Sequence, residues 1–192
     1  MIDPVWERKY AEGFDQRYPW DSVVSFVFNF APAETAREDT RILEIGFGSG
    51  SNLWFAAKEG FKVSGIEASS TAVKNAKKRF YLEGLSGELE IGDFVSLPFE
   101  SDRFDLAIDR AALTHVGKSD IIRAVNEVRR VLKPGGFFHC NVYADSHTSF
   151  SCSSAGYDGT RTKIFAGSLL DVGQVFFAGR GDIDEFFAEG WE

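Results

Sequence analysis

The chain has 192 residues, 44% of them hydrophobic, and a formal net charge of -8. That length suits one domain with a sizeable core and is short for two. The acidic balance argues against a surface built to neutralise many phosphates, so no nucleic-acid partner is expected. Cys140 and Cys152 show no CxxC spacing and no histidine pairing, which makes a metal site or a disulfide framework unexpected. The first residues, MIDPVWERKYAEG, are charged and hold no apolar stretch. No secretory signal is expected there, and the cytoplasm is the expected location. No apolar run approaches the ~20 residues that cross a bilayer, so no membrane association is expected.

In chain order, residues 1–40 contain the aromatic-rich segment YAEGFDQRYPWDSVVSFVFNF, read as one or two helices preceding the first strand. Arg41 to Ile45 reads as a strand, and Asn52 to Glu59 as a helix with Leu53, Ala56 and Ala57 facing inward. Lys62 to Ile66 is a second strand. Ser70 to Leu82 is a helix that Ser69 or Ser70 can cap, with Ala72, Val73, Ala76 and Phe80 on one face. Glu88 to Ile91 and Phe104 to Ile108 are the third and fourth strands. Asp120 to Leu132 is a helix with Ser119 as its expected cap, because Ile121, Val125, Val128 and Leu132 recur at helical spacing. The KPGG at 133–136 should stop it, and Phe137 to Tyr143 should be the fifth strand. Residues 144–168, rich in Ser, Gly and Thr, read as a long loop. A short final helix is expected over 181–191 with Asp182 as its cap.

Strands and helices alternate, and the strands are nearly continuous apolar runs. The fold class is therefore α/β, a Rossmann-like doubly wound, mostly parallel sheet covered on both faces. One domain is expected: an N-terminal helical cap over 1–40, a ligand-binding core over 41–143, and a substrate loop with the last helix over 144–192.

The stretch ILEIGFGSGS, Ile42 to Ser51, carries the main functional signal. Gly46, Gly48 and Gly50 allow close backbone approach and a sharp turn into a helix. That helix start suits an anion. Glu67, at the end of the second strand, stands where an acidic residue accepts from ribose hydroxyls in nucleotide-binding sheets. Two details separate the candidate ligands. Ser51 occupies the position where a dinucleotide fingerprint has its third glycine. Glu44, two residues before Gly46, would repel a pyrophosphate but favours an ammonium or a sulfonium.

Glu44-x-Gly46-x-Gly48-x-Gly50, Glu67, GDF at 92–94, FDLAID at 104–109 and RRVLKPGG at 129–136 together resemble the class I S-adenosylmethionine-dependent methyltransferases. The segment KIFAGSLLDVGQVFFAGRGDIDEFF resembles, more loosely, the small-molecule branch that includes tellurite-resistance-type methyltransferases. The resemblance implies S-adenosylmethionine as cofactor and S-adenosylhomocysteine as product. It implies that Gly46, Phe47, Gly48 and Gly50, with Asn52 at the helix start, line the methionine part. Glu67 would hold the ribose, Ala68 and Ser69 would border the adenine, and Asp93 and the Phe94 N–H would meet the adenine edge. Asp109 and Arg110 would lie beside the methionine part and the methyl group, and Tyr10, Tyr18 and Trp20 would close over the cofactor.

Methyl transfer needs a general base only where the acceptor must lose a proton. His115 is the candidate catalytic residue, with Tyr143, Asp145 and His147 as further candidates. A structural histidine and a solvated loop histidine are the plainer readings of His115 and His147, and Cys140 reads as core. No Asn/Asp-Pro-Pro-Tyr tetrapeptide follows the fourth strand, so a small-molecule acceptor is expected. Two other readings stand beside this one: a nicotinamide-dependent oxidoreductase, and a non-catalytic protein that binds S-adenosylmethionine. The family usually ends in two further strands that form a hairpin, and the sequence stops at AEGWE where they would begin. The expectation is a fragment or a short form lacking that hairpin. The fifth strand's edge is then covered by residues 160–178, covered by a partner chain in a homodimer, or left open.

Overall fold

The period-2 alternation of Arg41–Ile45 divides its side chains between two cores, Ile42 on one face and Leu43 and Ile45 on the other. The computed structural model describes residues 4–192. It begins with two helices, α1 (Pro4–Ala11) and α2 (Asp21–Phe30). Then follow β1 (Arg41–Ile45), α3 (Ser51–Lys58), β2 (Lys62–Glu67), α4 (Ser70–Leu82), β3 (Glu88–Ile91), β4 (Phe104–Arg110), α5 (Lys118–Val131) and β5 (Leu132–Asn141). These strands form a five-stranded sheet in the order β3-β2-β1-β4-β5, and every adjacent pair is parallel. The sequence reverses direction across the sheet between β1 and β4. Open α/β sheets bind ligands in the crevice at that switch point, beyond the carboxyl ends of the strands.

α2, α3 and α4 cover one face with Val23, Val27, Leu53, Ala56, Val73, Ala76 and Phe80, packed on Ile42, Leu106 and Ile108. α5 covers the other with Ile121, Ala124, Val125 and Val128, packed on Leu43, Ile45 and Ala107. Ser69 caps α4 by accepting from the Ala72 N–H at 3.1 Å. The amphipathic spacing read from sequence thus places both helices on the correct faces.

Several boundaries differ from the sequence expectation. α5 starts at Lys118 with Gly117, not Ser119, at its cap. A remote group does the capping: the Asp158 carboxylate accepts from the Ser119 N–H at 2.8 Å. α5 also ends one residue early, because Leu132 already pairs with Phe104. The KPGG therefore lies inside β5 as an irregularity, with Gly135 at φ +76° and Lys133 Nζ 2.7 Å from Asp105 Oδ1. The final helix, α7, spans Arg180–Phe186 and has Gly179 at its cap. Asp182 lies within it, accepting from the Gly179 N–H at 2.9 Å and from Lys118 Nζ at 2.8 Å.

The expected loop over 144–168 is also partly ordered into elements. β6 (Tyr143–Ala144), α6 (Thr148–Ser151), β7 (Ser154–Ala155), β8 (Arg161–Thr162) and β9 (Phe177–Ala178) occupy this region and its continuation. β6 pairs with β9 in parallel, and β7 with β8 antiparallel. Ile164, Leu169, Val175 and Phe177 make a small third core beneath them. Residues 160–178 do not pair with the free edge of β5. They bond instead to Thr114 and His115 and to β6, and among the described residues no strand pairs with that edge.

One packing constraint joins the fold to the site. A Cβ on Gly65, in β2, would sit 2.5 Å from Phe47 Cδ1 and 2.6 Å from Leu53 Cδ1. Gly65→Ala is expected to destabilise the fold by about 1–3 kcal/mol through overpacking, read as a lower denaturation midpoint. An unchanged midpoint would show that Phe47 and Leu53 yield freely.

Candidate functional site

The glycine turn between β1 and α3 uses all three glycines in the left-handed region, at φ +62°, +52° and +72° for Gly46, Gly48 and Gly50. Each faces a different obstacle. A Cβ on Gly46 would lie 2.2 Å from Ala112 Cβ, one on Gly48 2.4 Å from the Tyr10 hydroxyl, and one on Gly50 3.0 Å from Ala76 Cβ. The turn is drawn against its neighbours, and the conformation admits almost no other residue.

Glu67, at the end of β2, fixes that turn. Its Oε2 accepts from the Gly48 N–H at 2.9 Å, and its Oε1 from the Ala68 and Ser69 N–H groups, both at 2.8 Å. Burial pushes its pKa upward against those bonds. Glu44, in β1, is buried beside it. The Asn52 amide donates to Glu44 Oε1 at 2.7 Å, while Glu44 Oε2 is buried and has no hydrogen-bond partner among the described residues. Burial, and then the nearby Asp109 and Glu67 charges, push the Glu44 carboxyl up to about 8, opposed by the Asn52 bond and, more weakly, by the Leu53 N–H. Asp109 is fully buried and also raised, to about 6, by burial. Its Oδ1 accepts from the Ala112 and Leu113 N–H groups at 2.8 and 3.0 Å.

α1 closes the cavity from above. The Ser69 and Thr71 hydroxyls both donate to Glu7 at 2.5 Å, which anchors α1 at the start of α4. Tyr10 then reaches Gly48, and burial followed by the Glu67 and Glu44 charges raises its phenol pKa. Trp20 donates its backbone N–H to Asn52 Oδ1 at 3.0 Å. His115 Nδ1 lies 3.0 Å from the Gln174 carbonyl, and its ring meets Trp6 edge-on at 4.9 Å.

These groups enclose a cavity of about 270 Å³ at the carboxyl ends of β1, β2 and β4. Of the residues expected from sequence, Tyr10, Trp20, Glu44, Gly46, Phe47, Gly48, Asn52, Glu67, Ala68, Phe94, Arg110 and His115 line it, as does Tyr143. Tyr18 does not and is 63% exposed. Gly50 packs behind the turn on Ala76, Ser69 caps α4, and Asp109 lies beneath the wall. Asp93 accepts from the Val95 N–H at 3.1 Å in a turn. Asp145 and His147 also stand off the wall: the Asp145 N–H bonds to Ala178 and His147 caps α6.

Trp6, Phe14, Gln16, Ser49, Ser51, Ala111, Ala112 and Val116 also line the cavity. For Trp6 and Phe14 a signal existed, since with Tyr10 they recur every four residues, the spacing of one helical face. For Ala111 none did: its left-handed φ of +61° is invisible in an alanine.

The arrangement fits a ligand with a positive centre. A buried carboxylate oxygen without a partner is costly, and a cation in the cavity would relieve it. The glycines present bare backbone to the cavity with no side chain of their own, and the start of α3 offers N–H groups to an anion. S-adenosylmethionine carries those features: a sulfonium, an ammonium and one carboxylate.

Comparison with known proteins agrees. A family model described as a methyltransferase domain matches residues 42–136. The sarcosine/dimethylglycine N-methyltransferase of Aphanothece halophytica is 28% identical over 137 residues, 70% of this chain and 48% of that protein. A sterol 4-C-methyltransferase of Caenorhabditis elegans is 31% identical over 103 residues, 53% of this chain and 30% of that one. The chain thus spans less than half the length of either relative. A crystal structure of an S-adenosylmethionine-dependent methyltransferase from Methanosarcina mazei superposes with a TM-score of 0.67 at 22% identity, covering 92% of this chain and 84% of the other. The fold is that of the class I S-adenosylmethionine-dependent methyltransferases, and residues 42–136, which hold the glycine turn, match the methyltransferase-domain family.

Proposed function

We propose that this protein transfers the methyl group of S-adenosylmethionine to a small-molecule acceptor by in-line displacement. The observation that carries the reading is the unpartnered oxygen of buried Glu44 in the wall beside the glycine turn. Bound S-adenosylmethionine supplies an activated methyl group on a good leaving group. The chain's own contribution is to position the two reactants and exclude water. Glu67 keeps the glycine turn open, and it stands at the strand end where a ribose is held in this class of sheet. Glu44 and Asn52 face the cationic portion. Trp6, Tyr10 and Trp20 shield the cavity from solvent. His115 and Tyr143 are the wall groups able to take a proton from an acceptor. The relatives named above act, by their names, on sarcosine, dimethylglycine and a sterol, which supports a small acceptor here. A nicotinamide dinucleotide fits less well, since its pyrophosphate would meet two acidic side chains, Glu44 and Glu67, and would bring no cation to stabilise the ionised form of Glu44.

Calorimetry tests the cofactor. S-adenosylmethionine and S-adenosylhomocysteine should bind and NAD should not; the opposite result would overturn the reading. Turnover with a labelled methyl donor and a panel of small acceptors separates an enzyme from a protein that only binds the cofactor. Glu67→Gln should weaken binding of both adenosyl compounds by about 1.5–3 kcal/mol, the scale of a hydrogen bond to a charged group. Unchanged affinity would reject its role at the ribose.

Glu44 predicts a proton linkage. In the folded protein it titrates near 8, against an ordinary value of 4.5. Between those values the folded state holds a proton that the unfolded state has released, so Glu44 lowers stability as pH rises from about 5 to 8. A cation beside Glu44 lowers its pKa, so binding should release up to about one proton in that window. Affinity should therefore climb with pH and level off above about 8. Binding enthalpies at pH 7 in buffers of different ionisation enthalpy measure the release. Glu44→Gln should abolish it, and release that persists in that variant would assign the proton elsewhere.

A further inference from the structure

Among the described residues, Arg110 is the only lysine or arginine in the cavity wall. It ends β4, directly beside Asn141 of β5. Its guanidinium lies 3.7 Å from the centroid of the Trp20 ring, and Trp20 is itself tied by its backbone to Asn52. Among the described residues the guanidinium makes no hydrogen bond and no ion pair. The adjacent Asp109 carboxylate, whose pKa burial raises, feels the Arg110 charge as an opposing, lowering effect, but its bonds come from elsewhere: the Ala112 and Leu113 N–H groups on Oδ1, the Asn141 N–H, and the Cys140 thiol 3.8 Å from Oδ2. Stacking uses the flat face of a guanidinium and leaves the in-plane donors available. Those donors match the two oxygens of a carboxylate.

We propose that Arg110 receives a carboxylate of the methyl acceptor, which makes the acceptor a small carboxylic acid. The proposal rests on the methyltransferase reading and follows from the order of groups across the sheet. Glu67 ends β2, Glu44 lies in the next strand, β1, and Arg110 ends the strand after that, β4. A cofactor with its ribose at β2 and its cationic centre at β1 presents its methyl group toward β4. Arg110, His115 and Tyr143 stand on that side of the cavity. The start of α3 remains for the cofactor's own carboxylate. The remaining charged groups around the cavity, Glu44, Glu67 and Asp109, are acids. Selection for a carboxylate therefore depends on one side chain, and without it the wall repels an anion.

The test uses benzoate, phenylacetate and hexanoate, each paired with its neutral amide, titrated into protein saturated with S-adenosylhomocysteine. At least one acid should bind about tenfold tighter than its amide, the scale of a charge-assisted pair. Arg110→Gln should erase that preference and Arg110→Lys should retain part of it. Affinity for S-adenosylhomocysteine should change less than about threefold, with circular dichroism confirming the fold. Equal binding of every acid and its amide would overturn the proposal. So would a tenfold loss of S-adenosylhomocysteine affinity in Arg110→Gln with 5′-methylthioadenosine, which lacks the amino-acid part, unaffected. That result would assign Arg110 to the cofactor's carboxylate. Failure of wild-type protein to bind either adenosyl compound would refute the methyltransferase reading itself. The acid-over-amide preference of ligand-free protein would then decide the role of Arg110 separately.

Discussion

The Glu67 carboxylate is the joint on which the site hangs. One side chain accepts three backbone N–H groups, from the glycine turn and from the two residues that follow β2. Each belongs to a segment with no strand partner to satisfy it, and buried N–H groups left unpaired cost on the order of 1–3 kcal/mol each. The bonds also transmit position. Ser69, held by Glu67, caps α4 and donates to Glu7. Glu7 seats α1, and α1 brings Tyr10 against Gly48. A chain of contacts thus runs from the floor of the cavity to its roof and returns to the turn where it began.

The electrostatics follow from that packing. Three carboxyl groups, Glu44, Glu67 and Asp109, are buried at the carboxyl end of the sheet, and burial raises the pKa of each. They differ in how the charge is met. Glu67 has three N–H donors and Asp109 has two on a single oxygen, so both are held largely by backbone. Glu44 has the Asn52 amide, a weaker contribution from the Leu53 N–H, and an Oε2 with no hydrogen-bond partner among the described residues. A protein interior compensates such a group by protonation or by a bound cation. The floor of the cavity is therefore selective by omission: what the fold leaves unsatisfied at Glu44 is what a cationic ligand supplies.

Much of this was legible in the sequence where the physics is local. The helical spacing of Ala72, Val73, Ala76 and Phe80 names the buried face of α4, and the three glycines mark a turn that few other residues can form. The positions of Glu44 and Glu67 relative to that turn needed only strand spacing. What sequence did not reveal depends on distant partners. Gly117 begins α5 because Asp158, far along the chain, caps it from outside. KPGG enters β5 because Asp105 and Phe104 across the sheet hold it there. The small elements between Tyr143 and Ala178 pack on a core too sparse to show a period. Trp6 and Phe14 enter the cavity because Glu7 docks α1 on Ser69 and Thr71, partners 62 and 64 residues away.

Tyr10 closes this chain of contacts at the roof of the cavity. Its hydroxyl occupies the space beside Gly48 that a backbone-hugging ligand would also approach, and its ring stacks in a group with Trp6 and Phe14. α1 is held in that place by the part-buried bonds that Glu7 accepts from Ser69 and Thr71. The segment after it is tied to the glycine turn and to α3, because the Gln16 N–H donates to Ser49 and the Trp20 N–H to Asn52. Ser69 is itself buried and held by Glu67, so roof and floor share one loop. Hydrogen bonds to charged groups are the stronger kind, and these fix the aromatic roof over the surface against which a cofactor must be oriented.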